Sequence, residues 1–477
     1  MADHEIDLLD IRCGSVTAPA GCGKTQLIAD SLARHSGNKP ILILTHTNAG
    51  VAALRARLER AEVRASSYRL ATLDGWALRM LKTFPGRSGI DARHLDLKTP
   101  GKDYPAIKNA VVELLHGQHI DDILAASYCR LIVDEYQDCG REQHVIACHL
   151  SGILPTVVLG DPMQEIFSWN GDHPDWNDDV CSNFFEVGEL KTPWRWINAG
   201  AKNLGEWLLE ARKTLLAGNQ IDLRNAPAEV EWVHLDGDDD EKKRRRACNA
   251  RSPQRGGEVL IMAAGNQKRL QQRIAMQTPG AVTVEAVDLT DLTDFAAGVV
   301  LDRPGDLEYV LSFASQLTTQ VSKDELMRRV SVLERGAGRK DVTASELAAI
   351  DYKATGSAQH LIDLFKALEN NPGARTYRPE ILRVCINALR SSAPNEPDGF
   401  LAAAIRIREQ SRMLGRCVPP RAVGSPLLFK GLEADVAVIL DASDFDNVPE
   451  RNMKNLYVAI TRGSKKLVVC STSPLVG

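Results

Sequence analysis

The stretch Ala18-Pro19-Ala20-Gly21-Cys22-Gly23-Lys24-Thr25 has the residue types of a loop that wraps an anion. Its glycines let backbone N–H groups curl around phosphate oxygens with no Cβ in the way. Lys24 is spaced to reach the β- and γ-phosphates, and the Thr25 hydroxyl suits a magnesium ion. The helix opening at Lys24, Thr25 and Gln26 would point its positive end at the same anion. Further on, Asp134 and Glu135 directly follow the apolar run Leu131-Ile132-Val133. The first acid is placed to hold Mg2+ and the second to polarise an attacking water as general base. The two segments together predict hydrolysis of ATP, or of another NTP, with Mg2+.

The surrounding pattern says what must carry these groups. CGSVTA, ILILT, RLIVDE and TVVLGD read as short buried strands, with helical spacing in QLIADSLARH and NAGVAALRARLER between them. Buried strands alternating with helices predict an α/β fold on a parallel sheet, whose ligands sit at the strand C-termini. The rhythm breaks at 80–125, weakens after 190, and returns at 258–264, 281–287 and in the last sixty residues. The predicted architecture is two parallel-sheet domains with small, mainly helical insertions. The first domain takes 1–79 and 126–188, interrupted by a small insertion at 80–125. The second takes 189–299 and 419–477, interrupted by a helical insertion at 300–418. The run DGDDDEKKRRR at 236–246 reads as a solvated linker, with a DNA-touching basic patch as the alternative.

Composition narrows the class. The chain has 477 residues, 44% hydrophobic and 25% charged, with a formal net charge of −4. That excludes a disordered or fibrous chain, and it leaves no global basic field for nucleic acid, so any such contact needs a local groove. Ten cysteines are scattered with no C-x-x-C pair, which fits a reducing, cytoplasmic setting without structural zinc. The acidic start lacks the apolar core of a secretory signal, and no apolar run is long enough to span a membrane.

Eight short strings, in order, carry a resemblance. DEYQD at 134–138 and GDPMQEIFSW at 160–169 resemble motifs II and III of the UvrD/Rep/PcrA group of superfamily 1 helicases. Around them, the phosphate loop stands as motif I, Thr45-His46-Thr47-Asn48 resembles motif Ia and Thr72-Leu73-Asp74-Gly75-Trp76-Ala77 resembles motif Ib. Leu190 to Arg195 resembles motif IV, Lys430-Gly431-Leu432-Glu433 motif V, and Tyr457 to Arg462 motif VI. The resemblance implies two RecA-like domains that close over ATP and move along single-stranded DNA, 3′ to 5′. It implies that Gln164 senses the γ-phosphate and that Arg195 and Arg462 act as arginine fingers across the cleft. It also implies that Trp194 stacks on the base, that Glu433 approaches the ribose, and that Ala18, Gly21, Cys22 and Gly23 line the nucleotide. For DNA it implies Trp169 as a stacking platform, with Phe167, Thr47, Asn48, Thr72 and Trp76 beside it; a place in the core is the rival reading for Trp169 and Trp76.

Several positions depart from that group's pattern. No glutamine precedes the phosphate loop, so preference for ATP over other NTPs is expected to be weak. His46 replaces a phenylalanine, Asn170 an arginine, and Pro426-Leu427-Leu428-Phe429 the usual residues before Lys430. A narrower resemblance rests on DEYQD, GDPMQEIFSW, Ala442-Ser443-Asp444-Phe445 and YVAITR in a compact chain. It is to the helicase-like subunits of bacterial Gabija anti-phage systems. That implies single-stranded or end-containing DNA as activator and a GajA-like, OLD-family (overcoming-lysogenization-defect) nuclease as partner. The alternative is a stand-alone DNA repair helicase or translocase.

Overall fold

The computed structural model describes residues 6–97, 100–167, 173–286, 288–337, 340–392, 399–413, 419–443, 445 and 448–477. Two parallel six-stranded sheets organise it. The first contains β1 (Cys13–Thr17), β2 (Ile41–Thr45), β3 (Tyr68–Thr72), β4 (Arg130–Val133), β5 (Thr156–Gly160) and β6 (Glu186–Glu189), in the order β3-β2-β4-β5-β1-β6. The apolar runs of β2, β4 and β5 are buried at every residue, as a sheet covered on both faces requires.

A short pair, β7 (Ile221–Asp222) with the terminal β14 (Leu475–Val476), is antiparallel. The second sheet holds β8 (Val230–His234), β9 (Val259–Met262), β10 (Val282–Thr283), β11 (Arg421–Gly424), β12 (Ala434–Ile439) and β13 (Gly463–Ser471). Their order is β10-β11-β9-β12-β13-β8. The chain is therefore a mixed α/β molecule with two parallel sheets, the fold class expected from the sequence.

The segment 80–125 does not stand apart from the first sheet. Its helix Pro100–His116 buries Ile107, Val111, Leu114 and Leu115 in one core with Leu42, Leu44, Leu131 and Val133 of the sheet. The helical body of the second half starts at Leu289, ahead of position 300, because Leu292, Phe295 and Ala296 pack into its core. Phe295 stacks on Phe313 there with ring centroids 3.8 Å apart. Arg378 ties this body to the second sheet through Glu285, donating from Nε and Nη2 at 2.7 Å each.

The run at 236–246 is not a linker. Asp240–Cys248 is a helix with acids in its first turn and arginines in its last, the polarity that the helix dipole favours. It docks by burying Ala247 and Cys248 and by pairing Arg244 with Asp441 at 3.0 Å. Among the described residues no helix is long and apolar enough to cross a membrane, and the described cysteines are free thiols.

Candidate functional site

Because all strands of the first sheet run the same way, the loops after β1, β4 and β5 leave from one edge, and these three strands are neighbours. That edge therefore gathers the phosphate loop, Asp134-Glu135 and Asp161-Pro162-Met163-Gln164. The loop enters the helix Lys24–Arg34 through Gly23, which is left-handed with φ 88°, and Gly21 is left-handed with φ 72°. Both glycines are needed twice over. A Cβ at Gly21 would lie 2.5 Å from the Trp196 indole, and one at Gly23 would lie 3.0 Å from the Trp194 indole.

Lys24 lies between the two acids, with Nζ 2.9 Å from Asp134 Oδ1 and 2.7 Å from Glu135 Oε1. Burial opposes the ammonium charge, but the two carboxylates outweigh it and hold Lys24 above its ordinary range. Glu135 is likewise disfavoured as an anion by burial. Lys24 and then Lys430 overcome this and hold it down at about 2. Burial dominates at Asp134 and pushes it up, although Lys24 and the backbone N–H of Glu135 both support the anion. Glu135 itself is left-handed at φ 54°, a costly conformation for a residue with a side chain, and such strain gathers at functional sites. Cys22 is buried, and burial lifts its thiol to about 12, so it is inert packing under the loop.

The residues present fit a magnesium ion that arrives with its nucleotide. Thr25 and Asp134 offer hard oxygen donors, yet the described residues include no cluster of three or more His, Cys, Asp or Glu that could hold a metal alone. Phosphate oxygens and water would complete the shell, as is usual for Mg2+. Gln26 turns along its helix, donating to Asp30 at 2.7 Å and accepting from Arg57 at 3.4 Å.

The facing wall belongs to the second sheet, which presents its opposite edge. Lys430 and Glu433 precede β12, and Arg462 immediately precedes β13. Arg195 donates from Nη1 to the Thr461 carbonyl at 2.7 Å and pairs through Nε with Glu433 at 2.6 Å. Its backbone N–H donates to the Gly21 carbonyl at 3.0 Å. Arg462 is only 2% exposed. Its guanidinium donates to the carbonyls of Val458 (2.8 Å) and Leu432 (3.1 Å) and to Gln164 Oε1 (3.4 Å). Burial first, and then the like charge of Arg195, bring Arg462 down to about 10. It still carries its charge at neutral pH. Residues 24, 195 and 462 thus converge on one cleft.

Sequence reasoning passed over several groups that complete this cleft. Tyr457 accepts the Ala20 N–H through its hydroxyl at 3.2 Å, and the Trp196 indole donates to the Gly463 carbonyl at 2.8 Å. Lys430 Nζ reaches Asp138 and the Gln164 carbonyl and sits 5.0 Å from the centre of the Phe167 ring. Lys430 and Tyr457 lie inside recognisable strings, so a signal existed for them. Arg212 lies in no motif.

The expected DNA side is only partly assembled. Thr47 and Asn48 are exposed at the start of the helix Asn48–Arg60, and the Thr47 hydroxyl accepts the Gly50 N–H at 3.0 Å. Thr72 caps the helix Leu73–Thr83 in the same way. Phe167 is half-buried, 5.9 Å from the His46 ring. Trp169 lies outside the described residues. Trp76 is not a DNA contact. It is 0% exposed because Leu73, Trp76, Ala77, Met80 and Leu81 form the inward face of their helix. Trp76→Ala is therefore expected to cost about 3–5 kcal/mol of stability, read as a lower urea midpoint, with DNA affinity of the folded protein unchanged.

Comparison with known proteins agrees with the first lobe. Two solved structures are similar at low identity. The Pif1 helicase from Candida albicans is 12% identical, with a TM-score of 0.39 over 96% of this chain and 91% of that one. The arterivirus nonstructural protein 10 helicase, solved with DNA, is 10% identical, with a TM-score of 0.28 over 53% of this chain. The match spans about half of that helicase, 48% of its length. No curated protein matches. The family model of the UvrD/REP helicase N-terminal domain matches residues 13–100 and 97–180. Over that range, which holds the phosphate loop, the acidic pair and Gln164, the chain is similar to the N-terminal domain of UvrD/REP helicases.

Proposed function

We propose that the chain is a DNA-dependent NTPase of the UvrD-like superfamily 1 kind, which couples closure of its two lobes to movement along, or sensing of, DNA. The observation that carries this is a lysine held between two acids on one lobe, facing two arginines on the other across a shared cleft. In this reading a triphosphate would take over Lys24, and Thr25 and Asp134 would hold the Mg2+ that comes with it. Bound Mg2+ supplies charge neutralisation at the β- and γ-oxygens. Release of Lys24 frees Glu135 to accept a proton from the attacking water. Arg195 and Arg462 already face the cleft, and their guanidinium forks match phosphate oxygens. Trp194 lies against the loop, where it can cover the base, and Glu433 can pass from Arg195 to the ribose.

Single-stranded DNA would cross the tops of both lobes near Thr47, Asn48, Thr72 and Phe167, with Trp169 as a further platform. Loss of an aromatic stacking partner is worth about 1–3 kcal/mol per base. Phe167→Ala is therefore expected to weaken single-strand binding roughly 5- to 150-fold in a fluorescence anisotropy titration. Unchanged affinity would leave Phe167 only as the apolar seat of Lys430.

Within this reading the chain serves as the DNA-sensing subunit of a Gabija-type defence complex with an OLD-family nuclease. The strings DEYQD, GDPMQEIFSW, Ala442-Ser443-Asp444-Phe445 and YVAITR in a compact chain are what that narrower assignment rests on. Strand displacement separates it from a repair motor. DNA-stimulated hydrolysis with little unwinding, together with co-purification of a nuclease, is the expected result. Vigorous unwinding by the isolated chain overturns the sensing role and favours the stand-alone helicase.

A further inference from the structure

Arg212 sits on the helix Lys202–Leu216, whose Leu204, Leu208, Ala211 and Leu215 are buried in the second lobe's core. Its side chain nevertheless crosses to the first lobe and is 5% exposed. Nε and Nη2 both donate to Asp161 Oδ1, at 3.1 and 3.0 Å, and Nη1 donates to Glu189 Oε1 at 2.6 Å. Asp161 is 1% exposed and is a hub. Its Oδ2 accepts from Gln164 Nε2 at 3.0 Å, which turns the other end of that amide, Oε1, toward Arg462. The Asp161 backbone N–H donates to Gln137 Oε1 at 3.1 Å, and Gln137 Nε2 donates to Glu135 Oε2 at 2.7 Å. One continuous hydrogen-bonded chain therefore joins Arg212 to both the γ-phosphate sensor and the general base.

We infer that Arg212 is a positioning residue of the nucleotide site, holding Asp161 so that Gln164 and Glu135 are correctly oriented only when the lobes are closed. The inference rests on the NTPase reading above and goes beyond it, since Arg212 touches neither nucleotide nor metal. An amide such as Gln164 can present either its oxygen or its nitrogen, and its partners decide which. Asp161, acting only as an acceptor, fixes the nitrogen inward and leaves the oxygen for Arg462. Removing Arg212 leaves Asp161 a buried carboxylate without its cation, an unfavourable arrangement relieved only by movement of the hub or by opening of the lobes. Because Arg212 rides on a second-lobe helix and Asp161 directly follows a first-lobe strand, separating the lobes breaks the same contact. The alignment of the catalytic groups thereby depends on closure. A guanidinium fits this place best, because its fork reaches two separate carboxylates at once; an ammonium would keep the charge on Asp161 but not the full set of contacts.

The test compares Arg212→Met, Arg212→Lys, Gln164→Ala and the Arg212→Met/Gln164→Ala double variant in the full chain, by steady-state NTP hydrolysis with single-stranded DNA. Asp161→Asn supplies a second route to the same hub, and thermal melts confirm that each variant is folded. Small misplacements of reacting groups cost up to about 10²-fold in rate. Arg212→Met is accordingly expected to lower kcat by about tenfold or more with KM within about threefold. Arg212→Lys should recover part of that loss, and the double variant should be no slower than its slower parent. Asp161→Asn should behave like Arg212→Met. Losses that multiply in the double variant, a change confined to KM, or a lysine variant no better than methionine overturns the relay. A wild-type chain that hydrolyses no NTP overturns the NTPase reading and the relay with it. An active wild type with independent effects overturns the relay alone.

Discussion

Replacing Lys24 with alanine is expected to abolish NTP hydrolysis, by on the order of 10³-fold or more. The size follows from what such a group does in phosphoryl transfer, where catalysis is positioning plus stabilisation of charge on the transferring oxygens. Single preorganised donors are worth about 10²–10³-fold and a well-placed cation more. Lys24 has a second job before nucleotide arrives, since it neutralises Asp134 and Glu135 at 2.9 and 2.7 Å. Without it the two acids face each other with Lys430 as the next cation for Glu135. The variant should therefore melt at a lower temperature than the wild type, and added Mg2+ should restore part of that loss by replacing the missing charge. Hydrolysis at the wild-type rate in a folded Lys24→Ala protein would remove the phosphate-loop assignment.

Glu135→Gln is expected to slow hydrolysis by about 10²–10⁴-fold while nucleotide still binds, so that NTP is trapped. The amide keeps the size of the side chain and can still meet Gln137, but it cannot take a proton from water. Single-turnover assays with filter retention separate bound NTP from hydrolysed product. Normal turnover would place the general base elsewhere. The same glutamate sets a pH signature. Its carboxylate is held at about 2, below its ordinary 4.5, so folding gains from it fully above that ordinary value. The gain fades as pH falls toward 2. Acid titration of the unliganded Glu135→Gln protein should lack this component of the wild-type loss.

Much of the first lobe was legible because its signals are local. Gly21, Gly23 and Lys24 announce a phosphate loop through backbone freedom and charge. The apolar runs ILILT, RLIV and TVVLG announce buried strands through composition alone. Parallel strands then force their C-terminal loops onto one edge, so Asp134 and Gln164 follow with little further information. Between a DNA contact and a core aromatic the sequence left Trp76 open, because a motif string does not say which face of a helix it occupies. The periodicity of Leu73, Ala77, Met80 and Leu81 around it held the answer. The charged run at 236–246 shows no sign of docking because its hydropathy lacks apolar weight, while the helix it starts docks through Ala247 and Cys248, just past the run, and through Arg244 pairing with Asp441.

What the sequence determined by itself is the chemistry on offer: a phosphate loop, an acidic pair and arginines spaced through two α/β halves. Only the tertiary structure decided which of these groups meet. Arg212 joins Asp161 across 51 residues, Lys430 joins Asp138 across 292 and Arg462 joins Gln164 across 298. Such pairings leave no periodic trace in the chain, because they are fixed by how two separately folded sheets oppose their edges. In this arrangement the buried charges of Arg212 and Lys430 find carboxylate partners, without which their burial would be costly.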